Sequence, residues 1–124
     1  MTEEELKTRT KKFALRVIKL VNSLPKNLAS KVIGGQLLCS GTSVGANYRA
    51  VCRARSQADF ISKLGIVIEE CDESCYWMEL IVESELMSES RMKDILQEAN
   101  ELTAIFVASL KTAKKSNSKT KSKI

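Results

Sequence analysis

Residues 34–77 read GGQLLCSGTSVGANYRAVCRARSQADFISKLGIVIEECDESCYW, and this stretch decides the fold. Its first half is crowded with small residues: Gly34, Gly35, Cys39, Ser40, Gly41, Thr42, Ser43, Gly45 and Ala46. A glycine inside a helix costs roughly 1 kcal/mol relative to alanine. Several together argue that another backbone comes close. The second half carries a heptad-like apolar stripe, Ile61, Leu64, Ile68, Cys71, Cys75, Met78 and Val82, at the spacing of one helix face. Two long helices hinged near Ser56 account for both halves.

Upstream, Leu6, Phe13, Val17, Leu20 and Leu24, with Thr10 as a weak member, form the stripe of a first helix over about Glu3–Ser23. Glu3–Glu5 suit its positive end, and Leu24-Pro25 stops it. A second helix starts near Asn27, a suitable N-cap, and runs to about Ala54. Leu28, Val32, Gly35, Cys39, Thr42 and Ala46 make one narrow seam on it, beside a bulkier row of Leu37, Val44, Tyr48 and Val51. Ser56 and Asp59 resemble a capping box at the start of a third helix that reaches about Glu85. Beside its stripe lies a second row, Phe60, Val67, Ser74 and Ile81, with Trp77 off both. Apolar character that wide implies a second burial surface, most simply between subunits. After a polar loop at Ser84–Ser90, Ile95, Ala99, Leu102, Phe106 and Leu110 mark a fourth helix over about Arg91–Ala113.

The expected architecture is therefore all-α: an up-and-down antiparallel four-helix bundle over residues 1–113, assembling as a ring-like homo-oligomer. Residues 114–124, rich in lysine, serine and threonine, are expected to be a disordered tail. The proposed oligomer interface comprises Gly35, Cys39, Thr42 and Ala46 on the seam, with Phe60, Val67 and Trp77. A length of 124 residues fits one domain, and a single proline with five glycines argues against an all-β fold. No apolar run reaches the ~18 residues of a membrane span. The acidic opening is unlike a secretory leader, so a cytoplasmic protein with no membrane partner is expected.

The net charge of +5 hides a strong asymmetry. Residues 1–57 hold eleven basic and three acidic side chains, a net +8; residues 58–110 hold three basic and twelve acidic ones, a net −9. The last fourteen residues add six lysines and no acid. The two halves should attract each other, within a subunit or between neighbours. Lys12, Arg16 and Lys19 along the first helix suit a solvated face or phosphate. Arg49, Arg53 and Arg55 suit capping, salt bridging or nucleic acid, and Lys114 and Lys115 add attraction from the tail.

Little points to catalysis. The chain has no histidine, no glycine-rich phosphate loop and no nucleophile elbow. Ser40, Thr42 and Ser43 have no base nearby in sequence. Cys39, Cys52, Cys71 and Cys75 lack zinc-finger spacing and read as small buried residues. Glu69, Glu70, Asp72, Glu73 and Glu79 lack the Glu-x-x-His pairs of di-iron bundles, and salt bridges to the basic helices account for them. No enzyme, cofactor or metal is expected.

The segments Gly35–Leu38, Gly41–Arg49, Arg53–Ser56, Ala58–Ile61, Lys63–Ile66 and Glu69–Trp77, with Leu24-Pro25, resemble the bacterial four-helix-bundle proteins encoded in intervening sequences of 23S ribosomal RNA genes. The combination of Ser43-x-Gly-Ala-Asn47 with Arg53-x-Arg-Ser56 carries most of the likeness. Cys71 and Cys75 depart from it, standing where alanine and leucine-like residues are expected. The resemblance implies a homopentameric up-down bundle and kinship with accessory proteins of diversity-generating retroelements, which contact a reverse transcriptase and nucleic acid. It supplies no catalytic residues. Two functions follow as expectations: a non-enzymatic oligomeric adaptor for RNA or DNA, or a protein-interaction scaffold with no nucleic-acid role.

Overall fold

The computed structural model describes residues 1–122, with side chains through Ser116. Its four helices are α1 (Glu3–Asn22), α2 (Leu28–Cys52), α3 (Gln57–Glu83) and α4 (Glu89–Ser122). Three of them start on a side chain that accepts from an otherwise unpaired first-turn N–H. Thr2 Oγ1 accepts from Glu5 N at 3.1 Å, Asn27 Oδ1 from Ser30 N at 2.8 Å, and Ser56 Oγ from Asp59 N at 3.0 Å. The return half of the Ser56–Asp59 box is rewired: Asp59 Oδ2 accepts from Arg55 N at 3.1 Å and from Lys63 Nζ at 2.9 Å. After α3 the chain turns through Glu85, whose φ of 61° is left-handed.

Consecutive helices pack side by side, and α1 also meets α4, far less extensively than it meets α2. Neither α1 and α3 nor α2 and α4 approach each other among the described residues. The helices therefore occupy four corners in chain order, antiparallel to their neighbours, with α1 and α3 on one diagonal.

The glycines of α2 explain how closely α1 lies on it. A Cβ added at Gly41 would sit 2.8 Å from both Val17 methyl carbons. One at Gly45 would sit 3.2 Å from Thr10 Oγ1, and one at Gly34 3.2 Å from side-chain carbons of Leu24 and Val21. Thr10 is almost fully buried against this face, and its hydroxyl donates to the Leu6 carbonyl at 2.8 Å. Gly35, by contrast, faces open space.

Two expectations change. The second row of α3 is not a subunit contact: Val67, Ser74 and Ile81 are fully buried within this chain. Ser74 Oγ donates to Ser40 Oγ of α2 at 3.0 Å. The breadth of the apolar surface on α3 follows from its two neighbours, α2 and α4. Val67 therefore leaves the set of interface residues. In addition, α4 does not stop near Ala113 but continues to Ser122. No proline or glycine follows Phe106 to break it. Residues 123 and 124 of the lysine-rich tail lie outside the described residues.

Substituting Gly41 and Gly35 separates close approach from helix propensity. Gly41→Ala should destabilise by about 1–3 kcal/mol through overpacking, and Val17→Ala should relieve part of that cost. Gly35→Ala should be neutral or stabilise by up to about 1 kcal/mol. Urea unfolding of the single and double variants measures both.

Candidate nucleic-acid interface

The eight basic candidates fall into two groups. Lys12, Arg16 and Lys19 are exposed along α1. Arg16 and Lys19 line a shallow groove with Met87, Arg91, Asp94 and Ile95, so they lie on the side of α1 that turns toward α4. Arg49, Arg53 and Arg55 are exposed at the C-terminal end of α2, and Lys114 and Lys115 at the far end of α4. One contact joins the second group: Gln57 Nε2 donates to the Ala113 carbonyl at 3.1 Å. It brings the α2–α3 turn, with Arg55, beside the point where α4 leaves the bundle. From Lys114 to Ser122 the helix adds nine residues, roughly 13 Å at 1.5 Å per residue.

None of these eight cations forms an ion pair within 4 Å among the described residues. The ion pairs there are Lys7–Glu4, Arg9 with Glu98 and Glu101, and Lys63–Asp59. Lys63 and the backbone N–H of Arg55 hold the Asp59 carboxyl below its ordinary range. Arg9 is the cation that sequence reasoning missed. It binds both oxygens of Glu98, Nη2 at 2.6 Å and Nε at 2.8 Å, in the fork geometry that suits guanidinium and carboxylate. This is the one place where the basic and acidic halves meet across helices among the described residues. Arg9 lies outside the Lys12–Lys19 row and Glu98 is one of many acids, so only tertiary placement pairs them.

The same end of the bundle holds a cavity of about 410 Å³ between Leu6, Tyr48, Phe60 and Phe106, with Glu3, Cys52 and Arg55 around it. Tyr48 and Phe106 pack at a ring-centroid distance of 5.3 Å. Burial holds the Tyr48 hydroxyl well above its ordinary value, assisted by the Cys52 thiol. Burial, then a hydrogen bond to Glu3, raises the Cys52 thiol. A thiol held protonated in this way is a poor nucleophile.

The seam Gly35, Cys39 and Ala46 is exposed and Thr42 is half-buried. Phe60 and Trp77 are half-buried at the core's edge. On α3, Glu69, Asp72, Glu73 and Glu79 are exposed. Burial raises the Glu70 carboxyl, and repulsion by Glu73 and then Glu69 adds to it. Cys71 and Cys75 are buried, as their place on the apolar stripe implied, whereas Cys39 is exposed and Cys52 half-buried. No group of three or more His, Cys, Asp or Glu residues could hold a metal ion among the described residues. No helix there is long and apolar enough to cross a membrane.

These features define an antiparallel all-α four-helix bundle with a basic end and an acidic outer helix face. The chain belongs to the 23S rRNA-intervening sequence protein family, whose model matches residues 3–108. Its fold is similar to the crystal structure of a protein of unknown function from the S23 ribosomal protein family of Bacteroides thetaiotaomicron VPI-5482. That likeness has 33% identity and a TM-score of 0.82, and covers 90% of this chain and 99% of that one. No curated protein matches.

The thiols provide two checks. Only Cys39 should react quickly with a water-soluble disulfide reagent in the native protein, with all four cysteines reacting in denaturant. Burial pushes the Cys71 thiol up to about 12, from an ordinary value near 9. Between those values the unfolded chain loses a proton that the folded chain keeps, so stability falls as pH rises above about 9. The urea midpoint should drop between about pH 8 and pH 10.5, and drop less in Cys71→Ala.

Proposed function

We propose that this protein is a non-enzymatic, homopentameric four-helix bundle that binds RNA or DNA as an adaptor. What supports this reading is the bundle end: Arg49, Arg53 and Arg55 are exposed at the close of α2, Gln57 ties the turn after them to Ala113 beside Lys114 and Lys115, and none of these five side chains forms an ion pair within 4 Å among the described residues, although the Arg55 N–H binds Asp59. Exposed cations without partners are available to phosphates, and each phosphate they neutralise releases condensed counterions. Repeating the end around a symmetry axis would multiply this charge, because each subunit presents the same arginines and lysines to one side. The pentameric number rests on the family resemblance. A reverse transcriptase or another protein partner comes from the same resemblance and would dock on the assembled ring. Membership of a family named for 23S rRNA intervening sequences is consistent with a nucleic-acid role.

Filter binding to a structured RNA and to duplex DNA tests this reading. Binding is expected at ~50 mM salt and should weaken steeply as salt rises, with a log–log slope near 0.7–0.9 per phosphate contact. Arg53→Ala with Arg55→Ala should lower affinity about tenfold and flatten the slope by about two contacts. A chain ending at Ala113 should retain the remaining affinity of the arginine cluster. Absence of binding to either nucleic acid at ~50 mM salt overturns the proposal. Protein partners that survive nuclease treatment would then favour the scaffold function.

A further inference from the structure

The basic and acidic halves attract each other in principle, yet within one subunit they pair across helices only at Arg9 among the described residues. The topology explains why. α1 holds six basic and three acidic side chains and α3 one basic and seven acidic, and these two helices stand on a diagonal without touching among the described residues. The outer face of α1 and the outer face of α3 thus look away from each other on opposite sides of the bundle.

Successive helix residues turn by about 100°, which groups Lys11, Lys12, Leu15, Ile18 and Lys19 on the outward third of α1, with Lys19 at its edge beside the groove toward α4. All are exposed, Leu15 at 57% and Ile18 at 38%. The same count groups Ile66, Glu69, Asp72 and Glu73 on the outer face of α3, also exposed, Ile66 at 43%. On α1 the apolar pair lies among the lysines, on α3 Ile66 borders the acidic row at its N-terminal edge, and the two rows are of opposite sign. None of these charged groups has an ion-pair partner within 4 Å among the described residues. On α3, burial and then repulsion by Glu73 and Glu69 disfavour the charged form of neighbouring Glu70.

The two faces also share a level. Lys11 and Lys19 lie eight and sixteen residues beyond Glu3, where α1 begins; Gly65 and Glu73 lie eight and sixteen beyond Gln57, where α3 begins. Glu3 and Gln57 border the same cavity at one end of the bundle. In copies standing side by side and parallel, both faces therefore fall roughly 12–24 Å from that end.

We propose that the outer face of α1, through Lys11, Lys12, Leu15, Ile18 and Lys19, docks onto Ile66, Glu69, Asp72 and Glu73 of a second copy of this chain. The contact is heterologous, because the faces differ and lie on opposite sides. Each copy keeps one free face for the next, and the series closes into a ring when the rotation per subunit allows it. This interface rests on the oligomeric reading above and names the surface that makes the assembly. It assigns the row at Lys12 and Lys19 to assembly and leaves the bundle end to nucleic acid.

Charge reversal on the full chain tests it by sedimentation velocity over a concentration series. The triple variant Glu69→Lys, Asp72→Lys, Glu73→Lys should raise the subunit dissociation constant by at least ~10-fold, since like charges facing each other across an interface are strongly unfavourable. Lys11→Glu, Lys12→Glu, Lys19→Glu should do the same. The six-fold variant with both faces reversed should return toward wild-type assembly. All six positions are exposed, and circular dichroism of each variant confirms that the helices persist. A wild-type oligomer whose triple variants both assemble unchanged overturns this interface and leaves the oligomeric reading standing. A monomeric wild type overturns both.

Discussion

Val17 fits against α2 because Gly41 has no side chain. That contact, repeated at Thr10 opposite Gly45 and at Leu24 opposite Gly34, lays α1 flush along α2. It fixes the rotation of both helices. With the glycine face of α2 given to α1, its next face, through Ser40, goes to α3. The seam of Gly35, Cys39 and Ala46 is left outside. The close approach thus determines which small residues are structural and which are surface, although in sequence they form one run.

The charge distribution acquires meaning from the same arrangement. A net +8 on the first half and −9 on most of the second would neutralise within a subunit if the helices alternated in sign. They do not: α1 and α2 are basic, α3 is strongly acidic, and α4 is acidic up to Glu101 and basic from Lys111 on. The outer faces of α1 and α3 are therefore opposite in sign on opposite sides of the subunit, the arrangement that a head-to-tail contact would use. The arginines at the end of α2 and the lysines of α4 lie at an end rather than on either side. Assembly and phosphate contact can thus use separate surfaces.

Much of the fold was legible in local chemistry. Asn27 and Ser56 announce helix starts because their side-chain oxygens reach first-turn N–H groups, and Leu24-Pro25 announces an end. The buried partners Phe13, Val17, Leu64, Met78, Leu102 and Phe106 follow from three-four spacing. The row through Val67 was visible but assigned to the wrong neighbour. Spacing shows how wide a buried face is and not whether the same chain covers it. The end of α4 was missed because composition registers the lack of apolar residues, whereas only a proline or glycine would have enforced a stop. The arginine cluster was visible in sequence, but its proximity to Lys114 depends on Gln57 reaching the Ala113 carbonyl. Such a contact between residues far apart in the chain leaves no local signal.

If a second copy docks as proposed, Leu15, Ile18 and Ile66 are covered only when that copy is present. Hydroxyl-radical footprinting of the wild-type chain over a dilution series tests it most directly. Leu15, Ile18 and Ile66 should be shielded together at high concentration and become labelled together on dilution. Labelling of all three that matches their exposure in the single chain at every concentration would contradict the account.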